Sequence, residues 1–129
     1  MNKQDHINYW VETSKRDLSS MEINFQFGKY DWALFIGHLA LEKILKALWV
    51  KNNENNIPPK IHNLNKLAEA GKLKLSDQQE ELLFDITSFQ IETRYPDYKS
   101  NFYKKCTKEF SSLYIKKISE LYKCILEMI

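Results

Sequence analysis

The sequence predicts an all-α fold, an up-and-down bundle of about five helices, and three observations carry that expectation. Apolar residues recur at three- and four-residue steps through most of the chain. Only three Gly and three Pro occur among 129 residues, so long periodic stretches run without a strong breaker. The stretch from Tyr30 to Lys51 is apolar on most of its circumference, as the buried central helix of a bundle must be. With 43% hydrophobic and 28% charged residues the composition is that of a globular chain, not a disordered one. A chain of this length buries roughly 65–70% of its unfolded surface and needs no staple, so a single domain over residues 1–129 is expected.

Asp5 is placed to cap a first helix that runs to about Phe27, where Gly28 stops it. Ile7, Trp10, Val11, Ser14, Leu18, Met21 and Phe25 form its inner face. The central helix begins after so short a connection that an antiparallel pair is favoured. Past Lys51 the run NNENNIPPKI loses its periodicity, and its paired prolines forbid a continuing helix. A short helix from His62 to Ala70 follows, with Leu64, Leu67 and Ala68 inward and Gly71 as its stop. Ser76 caps a fourth helix whose first turn carries Asp77, Glu80 and Glu81, charges favourable to the helix dipole. That helix fails near Tyr95, because Pro96 biases its predecessor away from helical angles, and ETRYPDYKSN reads as a break on the surface. A last helix from about Thr107 carries Phe110, Leu113, Tyr114, Ile118, Leu121, Ile125 and Ile129 on one side.

A net charge of +2 does not by itself argue for nucleic acid, but the charge is uneven. Residues 69–92 hold six acids against two lysines, and 99–123 hold seven lysines against two glutamates. Two solvated helix faces that attract one another account for this, and so does a basic strip that meets phosphates. Cys106 and Cys124 lack metal-ligand spacing and read as free thiols. The apolar run from Ala33 to Val50 is cut by His38, Glu42, Lys43 and Lys46, which argues against a membrane span. The polar amino-terminus lacks the apolar stretch of a signal peptide, and a cytoplasmic location is expected.

Chemistry concentrates on a narrow polar stripe of the central helix. His38, Glu42 and Lys46 follow one another at i, i+4 and i+8 and project from one side. His38 and Glu42 with His62 have the ligand types of a metal site, yet no fourth ligand is specified; a hydrogen-bonded polar stripe is the better reading and no metal is assigned. Glu42 and Lys46 also have the spacing of a plain helix-stabilising pair. Arg94 stands at a helix end beside Tyr95, Asp97 and Tyr98, a charged fork among aromatic faces that suits phosphate or carboxylate recognition. An ion pair of Arg94 with Asp97 or Glu42 fits the same residues equally. No motif positions a nucleophile, and nothing calls for a cofactor.

Taken together, several segments resemble the HEPN domain family in the right order over nearly the whole chain. They are the first helix with Lys15, Arg16, Asp17 and Leu18, then GKYDWALFIGHLALEKILKAL, the Pro58-Pro59 loop leading to IHNLNKL, and TRYPDY. The resemblance implies a helical bundle paired as a homodimer, with the striped helix and the Arg94 region at the contact. It also implies an origin beside a minimal nucleotidyltransferase in prokaryotic toxin-antitoxin or defence-type systems. Many members are metal-independent ribonucleases with an Arg followed four to six residues later by a His. Here no His lies downstream of Arg94, so the reading leans away from an enzyme. What carries over is a nucleotide- or RNA-associated binding module that uses Arg94, Tyr95 and Asp97, with Glu42, Lys43, Lys46, His38 and His62 around them. Two alternatives stand: an endoribonuclease toxin that pairs Arg94 with His38, His62 or Tyr98 as base, and an adaptor that binds only protein.

Overall fold

The computed structural model describes the backbone of residues 1–129 and the side chains of all but residues 96–99. Six α-helices make up the architecture: α1 (Lys3–Gln26), α2 (Tyr30–Asn52), α3 (Leu64–Ala70), α4 (Asp77–Arg94), α5 (Pro96–Lys105) and α6 (Lys108–Glu127). The central position of α2 follows from its sequence. Ala33, Leu34, Ala40, Leu41, Ile44, Leu45, Ala47 and Val50 are all fully buried, and α1, α3, α4, α5 and α6 all pack against it.

Antiparallel pairing of α1 with α2 is fixed by contacts that descend along both helices. Lys3 Nζ donates to the carbonyls of Val50 and Asn53, Lys46 lies over Trp10, Lys43 pairs with Asp17, and Met21 meets Gly37. Gly37 is the point of closest approach. A Cβ there would sit 2.8 Å from Ile118 Cδ1 and 3.0 Å from Met21 Sδ, so its hydrogen lets α1 and α6 close on α2.

The helix ends refine the sequence reading in three places. Asn2, not Asp5, is the cap of α1: its side chain accepts from the Asp5 N–H at 2.9 Å, and Asp5 accepts in return from the Asn2 N–H at 3.1 Å. Gly28 at φ +77° closes α1 as expected, with the Gly28 and Lys29 N–H groups returning to the carbonyls of Phe25 and Asn24. At the end of α3 the left-handed residue is Lys72 at φ 62°, whereas Gly71 keeps an ordinary backbone. Gly71 packs against α2, where a Cβ would meet the α carbon of Trp49 at 3.5 Å, an ordinary van der Waals contact. The start of α3 likewise shifts from His62 to Leu64, because the Asn63 side chain caps it by accepting from the Lys66 N–H.

The larger correction is α5, a sixth helix where a surface break was expected. Tyr95 does leave helical angles, at φ −100° and ψ 130°, so α4 ends as Pro96 demands. The same proline then occupies the first turn of a new helix, where its fixed φ suits the geometry and its missing N–H costs nothing. Apolar anchors hold α5 down. Phe102 and Cys106 are buried, and the Phe102 ring lies 5.1 Å from that of Phe89, which also meets Phe110 and Tyr114 on α6.

Candidate functional site

The polar stripe of α2 is buried, which a helix in a water-excluding core can tolerate only if its polar atoms find partners. The loop between α2 and α3 supplies them. His38, fully enclosed, donates from Nε2 to the His62 carbonyl at 3.0 Å. One turn on, Glu42 Oε1 lies 2.7 Å from His62 Nδ1, and its other oxygen lies 3.4 Å from Lys46 Nζ. His62 thus grips α2 twice, through its backbone and through its ring. Pro58 and Pro59 stiffen the chain on the way to it.

These bonds set the chemical state of each group. Burial lowers the pKa of His38, and the nearby charges of His62 and Arg94 lower it further, against the opposing pull of its bond to His62 and of Glu42. His38 is therefore a neutral structural histidine whose Nε2 carries the proton. Its Nδ1 has no hydrogen-bond partner among the described residues. His62 lies at the surface instead: its side chain is 60% exposed, and its Nδ1 is directed at Glu42.

Arg94 is exposed at the end of α4, with its guanidinium carbon 5.3 Å from the centroid of Phe35 on α2. Phe35 precedes His38 by three positions, so the fork lies on the same side of α2 as the stripe. The alternative pairing of Arg94 with Glu42 does not occur, because Glu42 is held by His62 and Lys46. Arg94 has no ion pair among the described residues, and a bond to Asp97 falls outside the described side chains, as do Asp97 and Tyr98 themselves. Tyr95, beside the fork, is exposed.

The structure thus brings together His38, Glu42, His62 and Arg94 and separates the lysines by role. Lys46, with a side chain only 12% exposed, neutralises Glu42 and covers the Trp10 ring at 5.0 Å. Lys43 reaches Asp17 at 2.7 Å and ties α2 to α1. Two contributors were not visible as site residues in the sequence, Phe35 and Trp10, the aromatic platforms under the cations. Phe35 had a signal, its i−3 spacing from His38; Trp10 had none, because it reaches Lys46 from another helix. Cys106 is inert as a nucleophile, since burial pushes its thiol up to about 12. No group of three or more His, Cys, Asp or Glu among the described residues is arranged to hold a metal ion. No helix among them is long and apolar enough to cross a membrane.

The architecture is thus an α-helical bundle whose central helix bears a polar stripe, edged by an exposed guanidinium and an exposed imidazole. The chain belongs to the HEPN domain family, whose model matches residues 7–129. Membership associates it with nucleotide or RNA function, and domains of this family often form dimers and bind RNA. No curated protein and no solved structure matches the chain.

Proposed function

We propose that residues 1–129 act as one nucleotide- or RNA-binding domain, the non-catalytic partner of a minimal nucleotidyltransferase in a two-component prokaryotic system. The observation that carries the binding reading is Arg94, a fork exposed to solvent, stacked on Phe35 and unpaired among the described residues, beside the exposed ring of His62. Such a fork donates bidentately to phosphate oxygens, and Tyr95 supplies a face for a base. Lys46 and Lys43 serve this site from behind: the first holds Glu42, the second fixes α2 against α1. Self-association to a homodimer belongs to the same proposal, supported by the exposed apolar side chains Phe27, Trp32, Phe84 and Ile91.

A second reading has one specific observation behind it. Glu42 orients His62 through a 2.7 Å bond, as a carboxylate orients a general base, and in this reading the loop histidine takes the role that the family motif gives to one in the chain after Arg94. In that reading His62 takes the proton of a ribose 2′-hydroxyl, the oxygen attacks the adjacent phosphorus, and the 5′-oxygen leaves with a proton from water.

Titration of labelled nucleotides and short RNAs at two salt concentrations tests the first reading. Binding is expected in the wild type, weaker at high salt, and lost in Arg94→Ala with the fold intact by circular dichroism. Equal binding by Arg94→Ala refutes the site. The same RNAs should remain uncut; cleavage that disappears in both His62→Ala and Arg94→Ala establishes the second reading instead.

A further inference from the structure

A cleft of about 600 Å³ lies between α4 and α6, along the half of α4 that the candidate site does not use. Both helices pack on α2 and run antiparallel to each other, since Asp85 meets Tyr114 and Phe89, one turn on, meets Phe110. Aromatic rings hold them together at that end. Phe89 lies 5.0 Å from Tyr114 and 5.9 Å from Phe110, and the Tyr114 hydroxyl donates to Asp85 at 2.9 Å. From Asp85 back to Ser76 no further hydrogen bond or ion pair joins α4 to α6 among the described residues, and there the cleft opens.

Both walls are helix faces. Tyr114, Lys117, Leu121 and Cys124 recur at i, i+3, i+7 and i+10 on α6, opposite Leu82 and Asp85 at i, i+3 on α4. Leu82 and Leu121 are buried and give the cleft an apolar floor, and the half-buried free thiol of Cys124 stands at its end. The rims are acidic. Glu81, Asp85 and Glu120 line the cleft against one lysine, Lys117, which lies over the Tyr114 ring at 5.6 Å and forms no ion pair with any of them. Chemistry of this kind narrows what can bind. An added strand needs a sheet edge, and the described residues form helices only; a polyproline segment needs a free aromatic face, and that of Tyr114 is taken by Lys117; an acidic or phosphorylated motif would meet carboxylates. A helix laid into the groove is the recognition mode that fits. The stretch from Tyr114 to Cys124 measures about 15 Å, which accommodates about three turns of such a helix.

We infer that the cleft between α4 and α6 docks an amphipathic helix of a partner protein, whose apolar stripe lies on Leu82 and Leu121 and whose flanking Lys or Arg side chains meet Glu81 and Glu120. Charge complementarity sets the sign of the partner: its cations supply the counter-charge that the rims lack within this chain. The surface is separate from the nucleotide-binding reading, because Arg94 lies about 14 Å farther along α4 than Asp85, at the opposite end of the helix.

The test uses two labelled synthetic amphipathic helices of one pattern, leucine with lysine and leucine with glutamate. Fluorescence anisotropy reads binding, and the rate at which Cys124 reacts with a thiol reagent reads occupancy of the cleft. Cys106 stays silent in that reaction, because it is buried and its thiol is pushed up to about 12. The lysine helix should bind and the glutamate helix should not, and saturation with the lysine helix should slow Cys124 severalfold. Glu81→Gln/Glu120→Gln should weaken binding about fivefold, while Glu12→Gln/Glu22→Gln, which removes the same charge from α1, and Arg94→Ala should leave it unchanged. Equal binding of the two helices, equal weakening by the α1 control, or a Cys124 that reacts at full rate under saturating peptide overturns the inference. Slowing of Cys124 by higher protein concentration alone assigns the cleft to a second copy of this chain and overturns it too. The substituted glutamates are exposed, so thermal melts of these variants should overlay the wild type.

Discussion

Acidification should destabilise this protein through one buried residue, His38. Its pKa is lowered by burial and by the charges of His62 and Arg94, while the His62 carbonyl and the Glu42 carboxylate pull the other way. In the unfolded chain the ring returns to its ordinary value of about 6.5. Between that value and the lower one of the native state, the unfolded chain holds more protons than the folded chain, so stability is lost as pH falls. A single histidine that stays neutral in the fold loses about 1.4 kcal/mol between pH 7.5 and pH 5.5, which is the ceiling for this group. For a chain of this size that ceiling corresponds to about 5 °C in Tm. Other ionisable groups contribute to the raw profile, so the measurement is a comparison. Wild type and His38→Gln, which keeps a donor for the His62 carbonyl but has no proton to take up, are melted at pH 7.5, 6.5 and 5.5. The wild type should lose up to about 5 °C more than the variant over this range, with most of the extra loss below pH 6.5. Equal losses would falsify the assignment of His38 as a buried neutral ring.

Two further outcomes follow from the backbone and the surface. Lys72 holds a left-handed conformation that a side chain disfavours, so Lys72→Gly should stabilise the protein by about 0.5–1 kcal/mol, the relief of strain exceeding the added freedom of the unfolded chain; a lowered midpoint in urea would contradict this. Light scattering at tens of micromolar should give a homodimer, and replacing the exposed Phe84 and Ile91 of α4 by Ser should shift it to monomer; a wild type that is monomeric throughout removes the dimer from the proposal.

Local chemistry made much of this molecule readable. Periodicity placed α2 at the centre, Ser76 and Thr107 announced the starts of α4 and α6, and Gly28 announced the end of α1, because capping and apolar spacing act within one or two turns of chain. The stripe of His38, Glu42 and Lys46 was legible for the same reason: a helix fixes which residues share a side.

Chain-distant contacts decided the rest. Pro96 signals the end of α4 but is silent on whether a helix follows, and α5 exists because Phe102 finds Phe89 and Cys106 finds the interior. Gly71 read as the stop of α3, and the left-handed residue there is Lys72, one position on. Most of all, the stripe alone could not say which of its members is buried, which is paired and which is free. The loop from Pro58 to Asn63 folds back onto α2 and places the carbonyl of His62 on His38 and its ring on Glu42; the end of α4 sets Arg94 over Phe35. Helix periodicity determined what α2 offers, and only the packing of a loop and a second helix against it determined that His38 is shut in while His62 and Arg94 face solvent. Burial is a property of neighbours, and the neighbours of His38 are 24 residues along the chain and farther.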